Sequence, residues 1–365
     1  MKILVVSNMY PDNLNPSYGV FVKRFCNQLE SIGILYDKSV MHKGNSKIQK
    51  LIGYIKFYAC TTIKIIFKKY DLIYVHYASH SSIPVLIASK FKKIKVFTNV
   101  HGSDIVPENN KQQIMQKFTR KILKVSDKVI VPSDYFKRYV CEKYNLNSSI
   151  IEVYPSSGVN KNLFYIYNSN QRDAIKRKYN IAKDEIVVGF VGRIIEGKGW
   201  DTFIKGLHYF YKMHQSNNIK VILVGSGIEE EKLNKLIQNT CLNNRIIRFQ
   251  LLHEKELANI YNILTLFVFP TEREGESLGL VALEAMACGV PVIASDFAAP
   301  KYYVKDGYNG YKFEVNNSVH LSKCIEKYLM LDEKSREQMS RNAYNTAKDF
   351  FEDNIINKLE LIIKK

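Results

Sequence analysis

Two carboxylates, Glu276 and Glu284, stand eight residues apart in "REGESLGLVALEAMACGVPVIAS", residues 273–295, whose second half is almost entirely apolar. Burying a carboxylate without a partner is costly, so a pair in such a segment points to chemistry rather than packing. "LTLFVFPT" reads as a strand and "EREGE" as a charged loop. Ser277 then suits the N-cap of a helix that runs to about Cys288 and stops at Gly289 and Pro291. Glu276 would sit at the lip of the helix start and Glu284 about two turns in. The first-turn N–H groups of Ser277, Leu278, Gly279 and Leu280 favour an anion, phosphate above all. A carboxylate beside a phosphate site is suited to accept hydrogen bonds from neutral hydroxyls, such as those of a sugar or ribose. Glu274, just upstream, reads as loop charge.

A second motif, "VVGFVGRIIEGKGWDTFIKGL" from Val187, places Arg193 and Lys198 between a buried strand and a helix. Two cations there suit a diphosphate, with Arg as a planar fork and Lys as a compact charge. In "TNVHGSD", His101 follows a strand directly, Gly102 permits a tight turn and Asp104 lies close by. In "NPSYGVF", Gly19 falls in the first strand-to-helix loop, where a missing side chain lets backbone approach a ligand or simply makes a turn. Other chemistries lack their signatures. "VGSGIEE" is a poor dinucleotide fingerprint, and there is no P-loop, G-x-S-x-G, H-E-x-x-H or D-x-D. Neither a metal site nor a cofactor is expected, and an oxidoreductase is disfavoured.

The elements that must position these residues alternate. Short β-branched runs ("KILVVSN", "DLIYVHY", "IKVFTNV", "DKVIVPS", "SIIEVYP") precede a second series ("EIVVGFVG", "KVILVGS", "RIIRFQ", "LTLFVFPT", "PVIAS"). Amphipathic stretches lie between, such as the one from Val20 to Leu29 with Phe21, Phe25, Cys26 and Leu29 on one face. This predicts an α/β chain of two doubly wound parallel-sheet domains, residues 1–168 and 169–346. The polar "YNSNQRDAIKRKYNIAKDE" is the candidate linker. A tail helix, about 347–365, is expected to pack back on the first domain. Ligands of such sheets bind beyond the strand C-termini, so an interdomain cleft is the expected site.

Composition narrows the class further. The 365 residues are 46% hydrophobic and 24% charged, as in soluble globular chains. Six scattered cysteines without a CxxC pair fit reduced thiols and argue against structural zinc. The opening apolar run is too short for a signal peptide, and the most apolar window, "LIGYIKFYACTTIKIIF", is broken by Lys56 and Lys64. A cytoplasmic protein is expected, peripheral on the inner face of the membrane. Lys plus Arg number 53 against 35 Asp plus Glu, a net charge of +18. Between Lys38 and Lys69 there are eight lysines and no acid. Such a basic face could meet nucleic acid, an anionic membrane surface or a phosphorylated substrate, or simply follow from a chain rich in Lys, Asn and Ile. Interleaved with Tyr54, Phe57, Ile63, Ile65 and Phe67, the lysines suit an anionic lipid surface. No nucleic-acid module is present.

Taken together, Gly19, "HGSD", "VYPSSGVNKNLF", "VGRIIEGKG" and the E-x7-E stretch resemble the retaining glycosyltransferases of family 4. Those enzymes have the GT-B fold, two Rossmann-like domains facing a cleft. At the junction, Ser157, Gly158, Val159 and Asn160 stand where the family usually has Asn-Gly-Val-Asp. The resemblance implies that Arg193, Lys198, the N–H groups from Ser277 to Leu280 and the backbone at Gly19 hold a donor diphosphate. It implies that Glu276 meets the transferred sugar, Glu284 the ribose, and the segment with Leu251 the base. His101 would lie beside sugar and acceptor, with Asp104 on the acceptor side. The implied substrates are a nucleotide sugar, UDP first, and a glycan or lipid-linked acceptor in bacterial surface polysaccharide assembly, without a metal. The competing readings are an epimerase or phosphorylase of the same fold, and a non-catalytic basic membrane- or nucleic-acid-binding protein.

Overall fold

The computed structural model describes residues 1–365 except 17, 156–157, 215–217 and 365. Ser157, first of the junction residues, therefore lies outside the described residues. In chain order the first half comprises β1 (Lys2–Ser7), α1 (Val20–Ser31), β2 (Leu35–Val40), α2 (Lys47–Phe67), β3 (Leu72–His76) and α3 (Ser82–Ala88). It continues with β4 (Val96–Asn99), α4 (Asn110–Val125), β5 (Lys128–Val131), α5 (Asp134–Tyr144) and β6 (Ile151–Val153). Then come α6 (Ser169–Lys178), β7 (Ile186–Val191), α7 (Trp200–His214), β8 (Ile219–Val224), α8 (Glu230–Gln238), β9 (Ile246–Phe249) and α9 (Glu254–Ile263). The chain ends with β10 (Leu266–Phe269), α10 (Leu280–Ala287), β11 (Val292–Ser295), α11 (Pro300–Tyr303), β12 (Gly310–Phe313), α12 (Ser318–Leu329), α13 (Glu333–Lys348) and α14 (Glu352–Lys364).

These elements form two compact units, Met1–Ser157 with Ile355–Lys365, and Gly158–Asn354. Each holds one six-stranded sheet, ordered β2-β1-β3-β4-β5-β6 and β12-β11-β10-β7-β8-β9, with every pairing parallel. Both are the doubly wound α/β arrangement the alternation predicts. Side chains of a strand point alternately to opposite faces, and here both faces are covered. In the second unit Val187 and Val191 enter one core while Val188 and Phe190 enter the other. In the first, Leu4 and Val6 face one core and Ile3 and Val5 the other. That double burial is why the central strands read as unbroken apolar runs.

Two strands escape the sequence pattern, β2 ("LYDKSV") and β12 ("GYKF"). Both lie at sheet edges, where one side of the ladder needs no neighbour and charged residues are tolerated. The candidate linker also differs. Its first part is α6, which buries no side chain. It is stabilised locally by a capping box, Asn168 accepting from the Gln171 backbone while Gln171 accepts from that of Asn168.

The division between units falls at Gly158, upstream of the 168/169 boundary suggested by polarity. Val159 and Phe164 are buried in the second core, so the apolar content that defines the domain begins before the polar stretch. At the other end α13 stays with the second unit through Ala343 and Ala347. α14 returns to the first, where Ile355, Leu359, Ile362 and Ile363 join Val22, Phe25 and Leu29 of α1. Each such fully buried side chain contributes about 1.5–3 kcal/mol.

Candidate active site

In the second unit β7 and β10 are neighbours although β8 and β9 lie between them in sequence. This is the point where strand order reverses, and the loops leaving it diverge to opposite faces and open a crevice. The two motifs singled out in the sequence are the loops after these two strands. The β7–α7 loop is held on both flanks by backbone hydrogen bonds. Ile194 N donates to Ser226 O at 3.0 Å on the β8 side, and Glu272 N donates to Gly197 O at 2.9 Å on the β10 side. Gly199 makes the second contact possible. It has φ of 67°, and a Cβ there would lie 1.8 Å from the carbonyl oxygen of Pro270. No other residue fits at that approach.

The result is a direct contact between the motifs. Lys198 Nζ donates to Glu276 Oε2 at 2.6 Å, with side chains only 16% and 13% exposed. Thr271, fully buried, reaches the same carboxylate oxygen at 3.5 Å. Two residues 78 apart, expected to touch different parts of one ligand, thus satisfy one another. Arg193 is exposed and has no ion-pair partner among the described residues.

The helix after Glu276 starts later than its sequence suggests. Gly279, not Ser277, is the N-cap, in a left-handed conformation, and α10 begins at Leu280. The Gly279 carbonyl accepts from Ala282 N at 3.0 Å and, weakly, from Tyr303 Oη at 3.3 Å. Ser277 lies two residues upstream of this cap. The N–H groups of Leu278 and Gly279 find no acceptor among the described residues, so the helix start keeps its capacity for an anion. Glu284, half-buried on α10, accepts from the Tyr261 hydroxyl at 3.3 Å. Burial, with the nearby Glu284 charge, holds that phenol far above its usual pKa, so it stays a donor. Leu251 follows β9 and is 86% exposed. β9 is an edge strand, two removed from β7, and the structure does not bring Leu251 to the reversal point.

In the first unit the strand order reverses between β1 and β3. Gly19, with φ of 74°, is the N-cap of α1, and a Cβ on it would lie 2.6 Å from the Met9 backbone. The close approach it permits is thus first of all to its own loop. Two residues on, the Phe21 ring packs 4.2 Å from that of His101. His101 Nε2 lies 3.1 Å from Nδ1 of His76, at the end of β3, and the two imidazoles stack. Burial pushes the His101 pKa down to about 3 and that of His76 well below the usual range, so both rings are neutral near pH 7. His76 Nε2 and, on the neighbouring strand, Asn99 Oδ1 are buried without a partner among the described residues.

Asp104 does not face outward. It is 1% exposed, and its oxygens accept from the backbone N–H groups of His101, Gly102 and Ala78 at 2.9–3.0 Å. Burial raises its pKa against the pull of those donors. Its observed job is to staple the His101 loop to the β3 loop, buried away from solvent. The sequence reading overlooked His76 and Tyr261. For His76 the signal was present: like His101, it stands at the C-terminal end of an apolar strand. Tyr261 carried none, since a tyrosine inside an amphipathic helix reads as packing.

Among the described residues no group of three His, Cys, Asp or Glu side chains stands together as a metal site, and all six cysteines are unpaired. No helix there is long and apolar enough to cross a membrane.

Comparison with known proteins follows the same division. Residues 171–346 match the family model for glycosyl transferases group 1, and residues 40–157 that for glycosyltransferase family 4. An uncharacterised glycosyltransferase of Methanocaldococcus jannaschii is 32% identical over 77% of this chain and 71% of its own. A capsular polysaccharide biosynthesis glycosyltransferase of Staphylococcus aureus is 30% identical over 55% of this chain and 50% of its own. A protein of Anabaena, crystallised in complex with UDP, shares the fold with a TM-score of 0.79 at 18% identity, over all of both chains.

Proposed function

The chain belongs to the group 1 and family 4 glycosyltransferases, with their GT-B fold, and from that premise we propose a retaining enzyme that moves a hexose-type sugar from a nucleoside diphosphate to a glycan or lipid-linked hydroxyl. The observation that carries this reading is the Lys198–Glu276 pair beside the open start of α10. A cation, an anion site and a hydroxyl acceptor stand together there, as a sugar diphosphate requires. In the reaction the anomeric C–O bond breaks and its electron pair leaves on the diphosphate. Arg193, Lys198 and the N–H groups before α10 stabilise the growing charge without needing a metal. The acceptor oxygen bonds to the anomeric carbon from the same face, and its proton passes to the leaving phosphate. Glu276 holds sugar hydroxyls, and Glu284 accepts from the ribose in exchange for Tyr261. His101, neutral, serves the acceptor side as a hydrogen-bonding ring.

UDP is the first carrier to test, since a protein of the same fold was crystallised with it, and the capsular relative supports polysaccharide assembly as the context. The basic face between Lys38 and Lys69 would hold the enzyme on the cytoplasmic side of an anionic membrane. α2 supports this, with Ile48, Leu51, Ile55 and Ile63 all more than half exposed among its lysines. Thermal unfolding with UDP-, GDP- and ADP-sugars, with and without a chelator, tests the donor reading. One sugar nucleotide should raise the melting temperature regardless of chelator, and Lys198→Ala should abolish the rise. The reading fails if no nucleotide shifts wild-type protein, or if the shift needs a divalent ion. Vesicle co-sedimentation that ignores anionic lipid content and salt would remove the membrane part alone.

A further inference from the structure

The first unit carries a groove that the donor and acceptor chemistry does not use. α3 packs between α2 and α4, and an open slot of about 500 Å³ lies between α3 and α4. Its walls are Leu86 and Ile87 on one side, Phe118 and Val125 on the other. Ile87 is 42% and Val125 53% exposed, so the described residues leave both partly bare. The rim is cationic: Lys90, Lys121 and Lys124 line it, no acid does, and none of the three has an ion-pair partner among the described residues. The same edge bears two more bare aromatics. Phe67 ends α2 at 80% exposed and Phe91 follows α3 at 72%. Lys92 ties these ends together, donating to the carbonyls of Ile65 at 2.9 Å and Lys68 at 2.6 Å.

An apolar slot and a ring of uncompensated lysines demand opposite things of a ligand. The slot gains only from hydrocarbon, and the lysines only from an anion held in partly desolvated surroundings. A nucleic acid would satisfy the rim and leave the slot empty. A neutral lipid would do the reverse. A molecule with a hydrocarbon chain and an anionic head satisfies both. The volume is within the roughly 300–1,000 Å³ of pockets that enclose small ligands, and the neighbouring bare phenylalanines suit the interfacial layer of a bilayer.

We propose that the α3–α4 groove binds one anionic phospholipid, its chain between Ile87 and Phe118 and its phosphate on Lys90, Lys121 and Lys124. The groove thereby gives the broad charge of the first unit a defined lipid site. The proposal rests on the membrane part of the functional reading and is independent of the donor chemistry.

Calorimetric titration of the full chain with monomeric dihexanoyl phosphatidylglycerol tests it, with dihexanoyl phosphatidylcholine and inorganic phosphate as separate arms. Saturable binding of the glycerol lipid is expected, with the choline lipid weaker by roughly tenfold or more. Inorganic phosphate alone should not displace the glycerol lipid. Ile87→Glu and Lys124→Glu, both at exposed positions, should each lose roughly tenfold in affinity with melting temperature and UDP binding unchanged. Equal affinity for both lipids would overturn the proposal, as would displacement by phosphate or binding indifferent to Ile87→Glu. So would a lipid-free dimer in light scattering that Ile87→Glu dissolves, since the groove would then be a contact between copies. Lipid binding without any nucleotide-sugar binding sinks the donor reading alone, and the converse sinks the groove alone.

Discussion

Replacing Glu276 with glutamine separates its observed pairing with Lys198 from its proposed contact with sugar hydroxyls. In wild-type protein Lys198 is already engaged by Glu276 at 2.6 Å, so a diphosphate must take the cation away from it. Coulomb's law at that distance, with an effective dielectric near 20, gives roughly 6 kcal/mol of gross attraction, most of it offset by desolvation. The net worth of such a charge-assisted hydrogen bond is about 1.5–3 kcal/mol, and with both side chains less than a fifth exposed little of that is screened away. Glu276→Gln keeps the shape and one acceptor oxygen but releases Lys198. UDP alone should then bind as tightly as before or up to roughly tenfold more tightly. Sugar transfer should fall roughly 10- to 150-fold in kcat/KM, as the charged contact to the sugar is lost. Titration calorimetry with UDP and a steady-state transfer assay read the two effects separately. If UDP binding weakened by the same factor as transfer, the pair would be scaffolding for one pocket, and Glu276 would have no separate part in holding the sugar.

Further perturbations bear on the supporting structure. Gly199→Ala forces a Cβ against the Pro270 carbonyl and should cost about 2 kcal/mol or more. Gly33→Ala, at a similar φ but with nothing within 4 Å, should lose only the conformational cost of about 1–2 kcal/mol; equal melting temperatures for the two would refute the close-approach argument. His76→Phe keeps the stacking volume but removes the nitrogen facing His101, and should lower kcat by roughly tenfold or more with UDP affinity intact. An unchanged kcat would leave His76 a packing residue. Because burial depresses the His76 and His101 pKa values, the unfolded chain binds more protons than the folded one below about pH 6.5. Stability should be complete above that pH and fall toward pH 3, by up to about 1.4 kcal/mol per pH unit for each ring. Urea unfolding across that range checks it, and a slope unaffected by replacing both histidines would contradict the assignment.

Much of the fold was legible before any coordinates. A parallel strand covered on both faces must be apolar at nearly every position, so β1, β3, β7, β8 and β10 announce themselves as runs. The edge strands β2 and β12 did not, because an edge residue can satisfy solvent and ladder at once. The same logic hid the domain boundary: polarity marked α6, a surface helix, while the core had already begun at Val159. For the candidate site, residue type and spacing singled out Glu276, Glu284, Arg193, Lys198 and His101, since each sets a polar group in or beside an otherwise apolar stretch.

What sequence could not supply is adjacency between segments joined only by strand order. Lys198 meets Glu276 because β7 and β10 pair, and because Gly199 lets one loop's backbone pass against the other. His101 meets His76 because β3 and β4 are neighbours. The sequence by itself determined which residues carry charge, hydroxyl acceptors and apolar faces, for those are properties of single side chains and their local period. Only the tertiary structure decided which charges neutralise each other, which histidines are stripped of water, and that Asp104 is a staple. Those outcomes depend on distances and burial, and neither exists until the sheet has closed.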